Sequence, residues 1–204
     1  MEAIVEKVHY TQETFRKLMD AMARPGKIVE IQPFSYHQRA FALRYMLGIG
    51  ATLLDQEVSF HLCGTEGALA KDIQLLTHSK TKPLEQSDYV LVTGGVVFDV
   101  AGCKRGNFHY PDENATIIYQ VNAIGEQSLG GGIANGLNSV RLILTGPGVK
   151  GESRVFLDGF PPALVDQWQE SNQQFPLGTD WIFVDLIGNV CCIPRSTKLQ
   201  WEVL

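Results

Sequence analysis

Residues Ser139 to Gly151, reading S-V-R-L-I-L-T-G-P-G-V-K-G, restrict the possible folds more than any other stretch. Val140, Leu142 and Leu144 alternate with Arg141, Ile143 and Thr145, a β-branched and leucine-rich run of strand length with one charge. The run stops at Gly146-Pro147-Gly148. Glycine accepts positive φ, and proline fixes its own φ and lacks an N–H for the ladder, so a tight turn must follow. Gly146, Gly148 and Gly151 also spell G-x-G-x-x-G, but a dinucleotide loop needs a helix to begin inside that motif. Here Glu152 to Leu157 reads as a second strand, so a plain β-turn is the default.

A chain of 204 residues, 45% hydrophobic and 19% charged, is long enough for one substantial core. The net charge of −5 comes without a basic block, which excludes an extended nucleic-acid footprint but leaves room for a small basic pocket. No apolar run reaches membrane-spanning length, and the first residues lack a signal pattern. The expectation is a soluble, cytoplasmic protein. Cys63, Cys103, Cys191 and Cys192 have no C-x-x-C spacing and read as reduced, mostly buried thiols. Cys191 and Cys192, adjacent in an extended segment, point to opposite faces and are poor joint ligands.

The chain reads as a single α/β domain over residues 1–204, with a mixed, largely parallel sheet of about seven strands flanked by helices. Thr11 is expected to cap a first helix carrying Phe15, Leu18, Met19 and Met22, ended by Arg24-Pro25-Gly26. Lys27 to Ile31 follows as a strand. A second helix is expected from about Tyr36 to Leu54, apolar nearly all round, with Gly48 and Gly50 permitting close approach of a neighbour. Val58–Leu62, Tyr89–Val92 and Ala115–Val121 read as strands, with a helix from about Glu66 to Thr77. Gly94 to Asn114 reads as a long connection, and Leu129 to Leu137 as a glycine-dense loop. Pro161-Pro162 opens a helix with Leu164, Val165 and Trp168 on one side. Trp181–Leu186 and Val190–Ile193 flank a Gly188-Asn189 hairpin turn.

The chemical signals are sparse. Lys104 and Arg105 beside Cys103 would lower a thiol pKa, yet no histidine is tied to it by a recognised spacing. His61 and Cys63 share a strand face without a second ligand pair, so a packed face is the stronger reading. Asp180 and Asp185, five apart on one strand, fall on opposite faces. The better candidates are anion sites at segment ends: Arg24 and Gly26, then Gly146 and Gly148 with Lys150 following, then Arg195, Ser196 and Thr197. Taken singly each is a solvated turn. Convergence of two or more would make a phosphate or phosphonate pocket.

Four segments, taken in order, resemble the H subunit family of the bacterial carbon–phosphorus lyase system of phosphonate degradation. They are Phe15 to Gly26 (F-R-K-L-M-D-A-M-A-R-P-G), Leu144 to Val149 (L-T-G-P-G-V), Phe175 to Asp180 (F-P-L-G-T-D) and Ile193 to Thr197 (I-P-R-S-T). Gly94 to Asn138 carries no motif of the family, and the stretch between Val149 and Phe160 matches loosely. The resemblance implies a fold similar to the large domain of pyridoxal-phosphate-dependent transferases, without that cofactor. It further implies a homodimer inside a core complex with the G, I and J subunits, the L subunit acting alongside. The implied reaction displaces adenine from MgATP by an alkylphosphonate, giving ribose 1-alkylphosphonate 5-triphosphate, with the chemistry on the I subunit. The chain would then scaffold the complex or present a ligand. The alternatives are a stand-alone small transferase holding a phosphate-bearing ligand at the Gly146–Gly148 turn, and a homodimeric interaction module whose turns bind nothing. An imine to pyridoxal phosphate from Lys71, Lys80 or Lys104 would favour the transferase.

Overall fold

The computed structural model describes residues 2–35, 41–64, 67–126 and 139–203. In chain order its elements are α1 (Glu2–Ala23), β1 (Ile28–Glu30), α2 (Phe41–Leu53), β2 (Ser59–Cys63), α3 (Gly67–Thr77), β3 (Lys80–Thr81), β4 (Tyr89–Val92) and β5 (Thr116–Gln120). They continue with β6 (Ala123–Gly125), β7 (Val140–Thr145), β8 (Ser153–Asp158), α4 (Pro162–Ser171), β9 (Asp180–Val184), β10 (Asn189–Ile193) and β11 (Lys198–Val203).

Seven strands form one sheet in the order β1-β10-β9-β5-β4-β2-β3. The run from β3 through β2, β4 and β5 to β9 is parallel, and β10 and β1 add antiparallel pairs at one edge. The central strands are apolar on both faces because both faces are covered. Val90, Ile117, Tyr119, Trp181, Phe183 and Cys191 enter one core, while Leu91, Ile118, Ile182, Val184, Val190 and Cys192 enter the other. The adjacent cysteines therefore part to opposite faces, as an extended backbone requires.

The two faces are covered differently. One carries α1 and α2 with α3, whose buried Leu18, Met46, Leu47 and Ile73 fill the second core. The other carries α4 and a four-stranded antiparallel sheet, order β11-β7-β8-β6. The mixed, largely parallel seven-stranded sheet flanked by helices is as expected, and the second, four-stranded sheet on one face is the departure from that expectation. The Ser139–Gly151 run is β7, and it lies in the smaller sheet. Its Val140, Leu142 and Leu144 point into the shared core, and Arg141, Ile143 and Thr145 point away. Trp168 of α4 lies 4.8 Å, centroid to centroid, from Trp181 of β9, joining the layers.

Thr11 is not a cap, since α1 begins at Glu2. Its hydroxyl donates to the Val8 carbonyl at 3.1 Å, which lets a threonine sit inside a helix. Gly48 permits the close approach anticipated for it, because a Cβ there would overlap the Tyr10 ring of α1. Tyr10 donates its hydroxyl to the Gln32 carbonyl at 2.9 Å and packs on Phe34. The glycine-dense stretch at 129–137 and the proposed start of the second helix at 36–40 lie outside the described residues.

Candidate functional site

The four segments that carry the resemblance are far apart in sequence and adjacent in space. Each turn is closed by its own backbone. Lys27 N–H donates to the Arg24 carbonyl at 2.9 Å, Val149 N–H to Gly146 at 3.1 Å and Thr197 N–H to Pro194 at 2.9 Å. The turns then interlock. A Cβ on Gly148 would overlap the Ala23 carbonyl and come within 2.9 Å of Pro25 Cδ. A Cβ on Gly26 would overlap the Ser153 hydroxyl and reach Leu144 at 3.2 Å, and one on Gly146 would stand 3.3 Å from the Ser196 carbonyl. These glycines are therefore required for close packing of the end of α1, the β7–β8 hairpin and the turn before β11. Gly146-Pro147-Gly148 is the plain β-turn, joining antiparallel strands.

The Phe175–Asp180 segment meets the same junction through Asp180. Its carboxylate accepts Arg195 N–H at 2.7 Å, Arg195 Nη1 at 3.0 Å and Asn114 Nδ2 at 2.8 Å. Charge-assisted bonds of this kind contribute about 1.5–3 kcal/mol each; the Nη1 bond fixes the guanidinium from behind, and the other two hold the carboxylate that does so. In front of it opens a cavity of about 620 Å³ lined by Pro147, Gln169, Asn172, Gln173, Phe175 and residues Arg195 to Leu199. A smaller lobe of about 280 Å³, sharing Phe175, Arg195 and Ser196, reaches Met22 and Asp180.

Of the residues singled out in the sequence, Arg195, Ser196 and Thr197 line the larger cavity, whereas Arg24, Gly26, Gly146 and Gly148 do not. Arg24 and Lys27 both pair with Asp20 of α1. Phe175, Gln173 and Lys198 were not anticipated as site residues. Lys198 directly extends the R-S-T run, and that adjacency was the available signal.

The remaining candidates are occupied elsewhere. Lys104 lies 2.5 Å from Asp88 and does not activate Cys103, whose thiol burial pushes up to about 12. Burial likewise raises Cys63 to about 11 and Cys191 to about 12, so the thiolate is disfavoured at each. His61 Nδ1 lies 2.9 Å from the Lys82 carbonyl, and among the described residues no three His, Cys, Asp or Glu groups gather as a metal site. Asp185, buried at the hairpin, accepts Ile124, Ile187 and Asn189 N–H groups at 2.9–3.2 Å. Lys71 and Lys80 are exposed on α3 and β3, and with Lys104 held by Asp88 none of the three lines the cavity. The site does not fit pyridoxal phosphate through these lysines.

A family model for the bacterial phosphonate metabolism protein (PhnH) matches residues 2–200. The chain belongs to this family. Among its relatives is the putative C-P lyase subunit protein HtxG of Stutzerimonas stutzeri, 28% identical over 190 residues, covering 93% of this chain and 85% of that protein. Another is the alpha-D-ribose 1-methylphosphonate 5-triphosphate synthase subunit PhnH of Rhizobium meliloti (strain 1021), 26% identical over an aligned length of 212, covering 98% and 95%. No helix among the described residues is long and apolar enough to cross a membrane.

Proposed function

We propose that this chain is a subunit of a carbon–phosphorus lyase core complex in organophosphonate catabolism. It would be required with partner subunits for transfer of the ribose triphosphate moiety of MgATP to an alkylphosphonate, and would scaffold or present a ligand without performing the chemistry. The observation that carries this reading is a family match running from residue 2 to 200, with relatives named as subunits over nearly their full length. The state of the reactive groups supports the non-catalytic part. Burial holds the thiols protonated, and Asp180 and Asp185 have their oxygens taken up by N–H donors. In the same proposal the chain forms a homodimer, assembles with G, I and J subunits, works with the L subunit and resides in the cytoplasm. The same proposal gives it a fold like the large domain of pyridoxal-phosphate-dependent transferases, a reading that the largely parallel seven-stranded sheet supports.

The test is reconstitution. The purified chain alone is expected to convert no MgATP and methylphosphonate, and addition of the G, I, J and L subunits is expected to restore adenine release. Turnover by the isolated chain would rule out the passive role, and failure to co-purify with the core subunits would rule out membership.

A further inference from the structure

We propose that the cavity between the end of α4 and the turn before β11 binds a small organic anion, a phosphoryl or phosphonyl group attached to a flat apolar body. The inference rests on the ligand-presenting reading above and assigns it a place and a ligand class. Its volume of about 620 Å³ falls within the ~300–1,000 Å³ usual for small-molecule sites.

The charges in the lining all have one sign. Among the described residues, Arg195 and Lys198 are the ionisable ones around the cavity, and no carboxylate lines it. Asp180 neutralises Arg195 from the adjoining lobe, leaving Lys198, which is exposed and has no carboxylate partner among the described residues. A basic pocket on a chain of net charge −5 concentrates anions locally. Arg195 is held at both ends by Asp180, its backbone N–H donating to Oδ1 and its Nη1 to Oδ2, so a ligand would meet a positioned guanidinium and not a mobile one.

Two further features are explained by a ligand. Thr197 is only 7% exposed, and its hydroxyl has no hydrogen-bond partner among the described residues. Buried polar groups rarely go unpaired, and such orphans need a reason. Phe175 is 64% exposed at the cavity wall, an apolar ring open to solvent beside cationic groups. Together they describe an anion subsite at Arg195, Thr197 and Lys198 and a ring subsite at Phe175.

Calorimetry on the full chain would test this with four probes: inorganic phosphate, methylphosphonate, phenylphosphonate and phenyl phosphate. Phenylphosphonate is expected to bind about tenfold more tightly than inorganic phosphate, from an aromatic contact of the usual strength. Phe175→Ala should remove that advantage and leave phosphate binding unchanged. Lys198→Ala, at an exposed position that the fold does not need, should weaken every probe about tenfold. Preference for phenylphosphonate over phenyl phosphate would assign the site to a carbon–phosphorus linkage, and the reverse preference to a phosphate ester. Either supports the site. Absence of binding, or binding indifferent to both substitutions, would overturn it. Because assembly with partner subunits is scored separately by co-purification, loss of this proposal would leave the subunit reading intact.

Discussion

Gly148 has φ of +79°, and a side chain there would run into the Ala23 carbonyl at the end of α1. Gly151 has nearly the same φ, +75°, but nothing within 4 Å of where its Cβ would stand. The pair separates conformational strain from packing. Gly151→Ala should cost about 1–2 kcal/mol, the penalty of a left-handed non-glycine residue. Gly148→Ala should cost about 3–5 kcal/mol, since the turn must also move off α1. Urea midpoints of the two variants check this, and equal losses would mean that the junction is not closely packed. The sequence showed that glycine was needed in this turn. It did not show that Gly146 and Gly148 serve different neighbours, because Ser196 and Ala23 are distant along the chain.

At the scale of elements, Asp88 ties the start of β4 to β2 and to the connection leading toward β5. Its Oδ2 accepts Ser59 N–H at 2.8 Å and the Ser59 hydroxyl at 2.6 Å, and its Oδ1 meets Lys104 Nζ. Burial alone would raise its pKa, but the hydrogen bonds from Lys104 and Ser59 outweigh burial and hold the carboxyl below the ordinary aspartate range. A depressed folded pKa means stability that is fully present above the unfolded value of about 3.9 and lost as pH falls through it toward the folded value. Asp88→Asn should therefore lower the melting temperature at pH 7 and flatten its fall below about pH 4. Thermal melts of both proteins across pH 2.5–7 measure this, and parallel curves would disprove it. Lys104 had looked like an activator of its neighbour Cys103, yet the chain directs it to a carboxylate sixteen residues away. Strands β4, β5, β9 and β10 were legible from their apolar runs. The residues after Thr197 read as a short tail containing Trp201, and β11 was missed although Leu199, Trp201 and Val203 alternate with Lys198, Gln200 and Glu202.

Over the whole molecule, the seven-stranded sheet is the common wall of two cores, one closed by α1, α2 and α3 and the other by α4 and the smaller sheet. Neither cover can leave without exposing the sheet's apolar face, so the layers are expected to unfold together. Trp168 and Trp181 report on the α4 side, and far-UV circular dichroism is weighted toward the helices. The two urea transitions should coincide within error, whereas separated midpoints would divide the molecule into independent units. At this scale the four resemblance segments also acquire a physical meaning. They form one junction, where α1, the β7–β8 hairpin, the segment before β9 and the turn before β11 meet beside a cationic cavity. Local chemistry determined the long apolar strands, the end of α1 at Arg24-Pro25-Gly26 and the turn positions, because side-chain alternation, proline and glycine act within a few residues; it did not place the start of α1 or the short strands β3 and β6. Which turns touch, which cation is neutralised and which is left facing a cavity was decided only by tertiary packing, since those contacts join residues that the sequence separates by as many as 127 positions, as between Gly26 and Ser153.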